Sequence, residues 1–205
     1  MFDLSELQYD ALSEIFNIGV GHAACALSDI LNEEMRMSVP TISFQNRGNI
    51  ASNLGHDEEK RLCGVRQSFG GDLFNTDAIL MFSEEKSLEI VRLMLGGSLS
   101  MQELTEMEQE AMSEIGNIIL NACVGVLANM LKHDLRSSLP SYHIGSSHDF
   151  LSLSGNHADD IVLLLHIDIA LEKHAIEGRV AFVLDMNTLQ DLRPHLDKYI
   201  TEMIG

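Results

Sequence analysis

Basic side chains are scarce in this sequence. Its 13 lysines and arginines stand against 31 aspartates and glutamates, which gives a formal net charge of −18 at pH 7. A charge of this sign opposes binding to a nucleic-acid backbone or to an anionic membrane surface. We therefore expect a protein partner and no nucleic acid.

Cysteine is sparse as well, and tryptophan is absent. Cys25, Cys63 and Cys123 are scattered along the chain, with no CxxC spacing. Such an odd set indicates free thiols in a reducing compartment rather than a disulfide framework, and we expect all three to be buried. The nine histidines show neither HxxxH nor HExxH spacing, so the sequence predicts no metal site.

The sequence also lacks the features that direct a chain to a membrane. No continuous apolar run approaches the roughly 18–20 residues needed to cross a bilayer, and the first residues lack the basic region of a signal peptide. With 45% hydrophobic residues the chain can still bury a substantial core. These features predict a cytoplasmic protein without membrane insertion, folded as one domain.

The most informative feature that is present is a repeat. Residues 4–40 align without a gap on residues 104–140, with 13 identities in 37 positions. The repeated polar pattern comprises Asp10, Ser13, Glu14, Asn17 and Pro40 in the first copy and Glu110, Ser113, Glu114, Asn117 and Pro140 in the second. Folding alone gives little reason to repeat polar side chains, so these are the candidate functional residues.

A helical interpretation places the polar residues of each copy on one face. Ser5 with Gln8, and Thr105 with Glu108, have the spacing of capping boxes that start a helix. At about 100° per residue, the acids, the amide and the serine of each copy fall within an arc about 100° wide. The adjoining arc is expected to pack on the core; it holds Leu4, Leu7, Ala11, Ile15 and Ile18, then Leu104, Met107, Ala111, Ile115 and Ile118. For a single helix, the simpler interpretation of this polar face is that it is merely solvated. The same polar residues recur in the second helix, and this argues against that interpretation because a solvated face would be free to vary.

The remaining elements follow the same order in both halves. The first half is predicted to form a helix over about 5–32, an extended stretch from Pro40, strands around 61–69 and 77–83, and a helix over about 84–95. The second half is predicted to form a helix over about 105–132, extended segments near 139–144, 161–170 and 178–185, and a helix over about 187–203. This order predicts an α/β protein with an internal pseudo-twofold repeat, divided at about residue 100.

Segments 14–27 and 114–127 resemble the two signature helices of the CheC/CheX/FliY family of phosphatases. The motif of that family is Asp or Ser, three residues, Glu, two residues, Asn, 22 residues and Pro, and two copies favour its CheC branch. The resemblance covers essentially the whole chain. It implies a single CheC-like domain over residues 1–205, with a continuous β-sheet flanked by helices and the two motif helices side by side on one face. Two positions depart from the pattern: Glu110 replaces Asp or Ser, and Phe16 stands where Gly is common.

The resemblance also implies an activity, namely hydrolysis of the aspartyl phosphate of phosphorylated CheY, the chemotaxis response regulator. Carried over by position, Asn17 and Asn117 would enter the regulator's active site, and Glu14 and Glu114 would engage a lysine there. The implied docking residues are Asp10, Ser13, Glu110 and Ser113, and the implied structural residues are Pro40 and Pro140. No cofactor of its own is implied, since Mg²⁺ is expected in the partner, and the receptor deamidase CheD is a possible second partner.

An asparagine suits this chemistry for a physical reason. A carboxamide can accept a hydrogen bond from the attacking water and donate one to a phosphoryl oxygen at once. Because it is too weakly basic to remove a proton, it must act by position, while the glutamate one turn away supplies a charge that pairs with the regulator's lysine.

Two questions stay open at the level of sequence. The alternative to a phosphatase is a non-catalytic adaptor that binds CheY or CheD, although a pure adaptor would need neither amide. The second question is which site is stronger. We expect both to work, with Asn117 contributing more than Asn17, because Gly116 would let the regulator approach closely whereas Phe16 adds a ring at the first site. The helical angle of Phe16, about 120° from the centre of the polar stripe at Asp10, favours inward packing of that ring.

Overall fold

The computed structural model describes residues 4–47, 61–71, 75–95, 100–132, 134–146, 149–150, 161–171, 174–184 and 186–204. Its elements, in chain order, are α1 (Glu6–Leu31), β1 (Met35–Asn46), β2 (Leu62–Gly70), β3 (Asn75–Ser83), α2 (Glu84–Leu95), α3 (Met101–Leu131), β4 (Arg136–Ser137), β5 (Ser141–Gly145), β6 (Ile161–Leu171), β7 (His174–Leu184) and α4 (Met186–Ile204). This is the mixed order of helices and strands that the sequence predicts.

The described strands form one seven-stranded sheet in the order β1-β6-β7-β3-β2-β4, with β5 also paired to β2. Every pairing is antiparallel. At one edge β1, which follows α1, pairs with β6, the first strand of the β6–β7 hairpin. At the other edge β4 and β5, which follow α3, pair with β2, the first strand of the β2–β3 hairpin. The two hairpins meet where β3 pairs with β7. The predicted continuous sheet is confirmed. The internal repeat and the single domain over 1–205 remain predictions.

The two faces of the sheet have different coverings because successive side chains of a strand point to opposite faces. Leu80 and Phe182 belong to the large core that the helices cover, whereas Ile79 and Ala181 belong to a smaller cluster with Phe150 on the other face. The long helices therefore sit together on one face of the sheet, as the resemblance implies.

The two long helices α1 and α3 pack closely against each other where small residues meet. A Cβ at Gly19 would lie 2.9 Å from Val126 Cγ2 and 3.1 Å from the carbonyl oxygen of Ala122. Only a residue without a side chain permits that approach. The predicted side-by-side arrangement of the motif helices is confirmed by this contact.

The start of α1 is the one predicted, and the start of α3 is not. Ser5 caps α1 in a capping box with Gln8. Helix α3 begins at Met101, where Ser100 forms the box with Glu103. The prediction of a cap at Thr105 was wrong because the Ser100 box has the same chemistry and lies five residues earlier, which lengthens the helix by more than one turn.

Thr105 and Glu108, the residues of the predicted second cap, have other roles in the structure. The Thr105 hydroxyl donates to the carbonyl oxygen of Met101 at 2.9 Å inside the helix. Glu108 is buried and accepts a 2.6 Å hydrogen bond from the Ser87 hydroxyl of α2. Glu108 therefore joins α3 to α2 and does not cap a helix.

Both motif prolines lie at breaks in edge strands. Strand β1 begins at Met35, before Pro40, and its register on β6 shifts between Ser38 and Thr41. In the second half, Pro140 falls between β4 and β5. The prediction that the extended segment starts at Pro40 was thus five residues late, because a proline interrupts a strand by lacking an N–H without having to begin it.

Helix α3 is long and apolar enough, by length and composition alone, to cross a membrane. More than half of its most apolar window, 56%, is buried inside the protein. A buried core helix passes the same test, and the burial of α3 is consistent with that kind of helix.

Candidate functional site

The candidate polar residues lie on the outward faces of α1 and α3. On α1, Asp10 and Glu14 are exposed and Ser13 and Asn17 are partly buried. The corresponding residues of α3 have the same exposure: Glu110 and Glu114 are exposed, and Ser113 and Asn117 are partly buried. Each helix thus brings its four candidates together on one face, with glutamate and asparagine one turn apart.

The arc expected to face the core is only partly buried. Leu4, Ile15, Leu104 and Ile115 are buried, but Leu7 is 52% exposed, Ile18 41% and Met107 40%, while Ala11, Ala111 and Ile118 are intermediate. The buried stripe of α1 is instead centred near Leu12, Phe16, Gly19 and Ala23, opposite the polar stripe. The helical periodicity located the polar arc correctly. It does not determine that the apolar arc next to the polar one is the arc that packs on the core. Exposed apolar side chains therefore flank the acidic stripe.

The Asn17 amide is fixed by two backbone groups. Its Oδ1 accepts from the backbone N–H of Val39 at 2.9 Å, and its Nδ2 donates to the carbonyl oxygen of Ser13 at 2.9 Å. A carboxamide has two lone pairs and two N–H groups. One of each is used, so one acceptor and one donor remain on an amide whose plane is already set.

The Asn117 amide is held differently, by side chains. Its Oδ1 accepts from Asn121 Nδ2 at 2.8 Å and from Gln67 Nε2 at 3.2 Å. Leu139, which stands where Val39 stands in the first half, is 88% exposed, and its N–H makes no bond to Asn117 among the described residues. The two candidate sites therefore share residue types but differ in hydrogen bonding.

Gln67 is a site residue that sequence reasoning missed. It lies in β2, is only 1% exposed, and donates to the carbonyl oxygen of Ser138 at 2.8 Å as well as to Asn117. Its Oε1 accepts from Asn121 Nδ2 at 3.2 Å. A buried amide needs such partners. The available signal was a glutamine at the same alternate positions as the apolar Cys63, Val65 and Phe69 of β2, but sequence alone does not give its partner.

The structure overturns the reason given for ranking the second site higher. Gly116 is buried, and a Cβ there would lie 2.5 Å from Cβ of Val65, so the glycine makes room for β2 and not for a partner. Phe16 is fully buried and stacks on Phe182 with ring centroids 5.6 Å apart. Neither position borders the exposed polar stripe, as the helical angle of Phe16 indicates.

Glu14 and Glu114 make no ion pair within the described residues. Their negative charges are therefore directed to solvent. The described part of the chain also holds no group of three histidine, cysteine or acidic side chains that could bind a metal ion.

The prediction that all three cysteines are buried is wrong for Cys25, which is exposed on α1. Cys63 and Cys123 are buried. Burial raises the pKa of the Cys63 thiol to about 11 and that of Cys123 to about 12, because a thiolate is poorly solvated in the core. Both stay protonated at neutral pH.

Comparison with known proteins finds similar ones both by the first motif and by the fold. The model of the CheC-like family matches residues 7–44, which contain the first motif from Asp10 to Pro40. The X-ray structure of Thermotoga maritima FliY superposes with a TM-score of 0.77 at 21% sequence identity, covering 95% of this chain and 98% of that one. The CheC-like fold is thus established.

Two curated proteins of Bacillus subtilis (strain 168) are similar in sequence. The CheY-P phosphatase CheC is 28% identical over 142 residues, which are 67% of this chain and 66% of CheC. The flagellar motor switch phosphatase FliY is 30% identical over 95 residues, which are 46% of this chain and 24% of FliY. The chain therefore spans just under two thirds of one relative and about a quarter of the other. The resemblance to the CheC/CheX/FliY family that the motifs indicate is confirmed by these matches.

Proposed function

We propose that this protein is a cytoplasmic phosphatase of the chemotaxis response regulator CheY, acting on its aspartyl phosphate. The observation that carries the proposal is the Asn17 amide, held in the exposed stripe of α1 by Val39 and Ser13 with one acceptor and one donor left over. The similar B. subtilis protein is named CheY-P phosphatase CheC, and this supports the same reaction.

The amide would act by orienting water. Its remaining lone pair accepts a hydrogen bond from a water molecule, while its remaining N–H donates to a phosphoryl oxygen. The water oxygen attacks phosphorus as the bond from phosphorus to the aspartyl oxygen breaks, which leaves the regulator's carboxylate and inorganic phosphate. Mg²⁺ bound by the regulator would neutralise the phosphoryl oxygens, so the phosphatase would supply no metal. Because the amide is already oriented before the substrate binds, the entropy of ordering it does not add to the activation free energy.

The surface around the amide suits a protein partner. Glu14 and Glu114 are exposed charges without an ion pair in the described chain, and each can meet a lysine of the regulator. Leu7, Ile18 and Met107 expose apolar surface beside them. Interfaces between proteins combine apolar contacts with hydrogen-bonding and charged groups, and this surface offers both kinds. Asp10, Ser13, Glu110 and Ser113 are the further docking residues.

The test is phosphate release from CheY charged with acetyl phosphate and Mg²⁺. We expect the rate to rise in proportion to the added protein, and to return to the rate of CheY alone for the Asn17→Ala/Asn117→Ala double variant. Protein incubated with acetyl phosphate but without CheY controls for direct hydrolysis. If the wild type binds CheY and leaves the rate unchanged, the protein is an adaptor. Binding to purified CheD, measured separately, tests that second partner.

A further inference from the structure

The oxygen of Asn117 is saturated, whereas that of Asn17 is not. Gln67 and Asn121 both donate to Asn117 Oδ1, at 3.2 Å and 2.8 Å, which occupies both lone pairs. Asn117 Nδ2 makes no hydrogen bond to any described residue. The second site thus offers two donors and no acceptor, while the first offers one of each.

The residues responsible have no counterpart in the first half. Position 167, which is 100 residues after Gln67, holds Ile167, and position 21, which is 100 residues before Asn121, holds Gly21. Neither side chain can donate a hydrogen bond. The registers support this correspondence, because Gln67 pairs with Ala78 and Ile167 pairs with Gly178 at the same offset.

The pair is also held firmly. Gln67 is 1% exposed and is tied to the carbonyl oxygen of Ser138 at 2.8 Å, so it cannot turn to solvent without leaving that group unpaired. The two N–H groups of Asn121 are shared among three acceptors, of which the carbonyl oxygen and the Oδ1 of Asn117, at 2.7 Å and 2.8 Å, are closer than Gln67 Oε1 at 3.2 Å. The arrangement is a closed amide network in which the members fix one another.

We infer that Gln67 and Asn121 are positioning residues that hold Asn117 with its oxygen turned away from the substrate. This inference rests on the proposed function. In that orientation the second site donates to phosphoryl oxygens and so captures the phosphorylated regulator, but it does not accept a hydrogen bond from the attacking water. Turnover then belongs mainly to Asn17.

The test uses the Asn17→Ala background, in which only the second site can act. Adding Asn121→Ala removes the closer donor and returns one lone pair to Asn117. We expect kcat for phosphate release to rise, by up to about 10²-fold, with little change in KM, because a water-orienting contact acts in the chemical step. Asn129→Ala is the matched control, since Asn129 is exposed on the same helix and should leave kcat unchanged.

A reciprocal variant tests the idea at the first site. Gly21→Asn, in the Asn117→Ala background, places an amide four residues after Asn17, as Asn121 follows Asn117. A Cβ at Gly21 meets nothing within 4 Å, so a side chain can start there without a clash. We expect kcat to fall with KM little changed, and thermal melting to stay near that of the parent.

The outcomes separate the two proposals. If the wild type does not accelerate phosphate release, the proposed function fails and this inference falls with it. If the wild type is active, and Asn121→Ala in the Asn17→Ala background lowers kcat or leaves it unchanged, the proposed function stands and the network inference is overturned. An unchanged kcat for Gly21→Asn would also count against it.

Discussion

The backbone N–H of Val39 donates to Oδ1 of Asn17 at 2.9 Å across 22 residues of sequence. Val39 and Pro40 fall in the register shift where β1 leaves its ladder with β6. Because Pro40 has no N–H and the ladder is interrupted, the Val39 donor is free to bind a side chain. The spacing of 22 residues between the motif asparagine and proline is thereby explained for the first half.

The first prediction concerns the two asparagines. We expect Asn17→Ala to lose more phosphatase activity than Asn117→Ala, on the order of 10²-fold at its own site, and the double change to abolish activity. This reverses the ranking drawn from Phe16 and Gly116, which are both buried. Steady-state phosphate release from the two single variants measures it.

A fold control is needed because Asn17 also ties α1 to β1. Asn17→Ala leaves the Val39 N–H unpaired and should cost about 1 kcal/mol in the free energy of unfolding. Asn17→Asp keeps the acceptor for the Val39 N–H but replaces the donor to the Ser13 carbonyl with an oxygen, so it should recover only part of the lost stability and still lose activity. A larger loss from Asn117→Ala than from Asn17→Ala would contradict the ranking.

What the sequence predicted correctly depends on local signals. The Ser5 capping box, the acid and amide stripe of α1 and α3 and the order of strands follow from the spacing of neighbouring residues. The inward position of Phe16 also followed from its helical angle. Such features are set by backbone geometry within a few turns.

What the sequence missed depends on contacts between distant residues. Gln67 and Asn117 are 50 residues apart, and no periodicity indicates that they meet. The exposure of Leu7 and Ile18 has a similar cause, since the positions of α3 and the sheet determine which side of α1 is buried. Tertiary packing therefore determines both the partner of Gln67 and the buried face of α1.

The second prediction tests the buried side of α3 with two glycines. Gly116→Ala should destabilise the protein by about 1–3 kcal/mol, because the new methyl meets Val65 at 2.5 Å in a packed core. Gly125→Ala on the same helix meets nothing within 4 Å and should stabilise by about 0.5–1 kcal/mol through helix propensity. Chemical denaturation measures both, and equal effects of the two changes would be inconsistent with this packing.

The third prediction concerns thiol reactivity. At pH 8 a colorimetric thiol reagent should label Cys25 within minutes, while Cys63 and Cys123 react only after denaturation. The reason is that burial both blocks access and raises the pKa of Cys63 to about 11 and of Cys123 to about 12. Cys25→Ser should therefore leave no rapidly reacting thiol in the native protein. Fast labelling of that variant would mean that the core opens readily.

The last prediction concerns the charges of Glu14 and Glu114. Both are exposed and lack an ion pair in the described chain, so their charges are available to a lysine of the regulator. Glu14→Gln and Glu114→Gln keep shape and hydrogen bonding but remove the charge. We expect the double variant to bind CheY more weakly and its binding to lose much of the salt dependence, since a partly exposed ion pair is screened by added salt.

Glu34→Gln is a suitable control for the charge of Glu14 and Glu114, because Glu34 is exposed outside both motif helices and pairs with Arg36 at 2.9 Å. Affinities measured from low to high salt decide the matter: the same salt dependence in the wild type and in the double variant would exclude charge pairing, and a loss of activity at unchanged affinity would point instead to a role of these carboxylates in the chemical step.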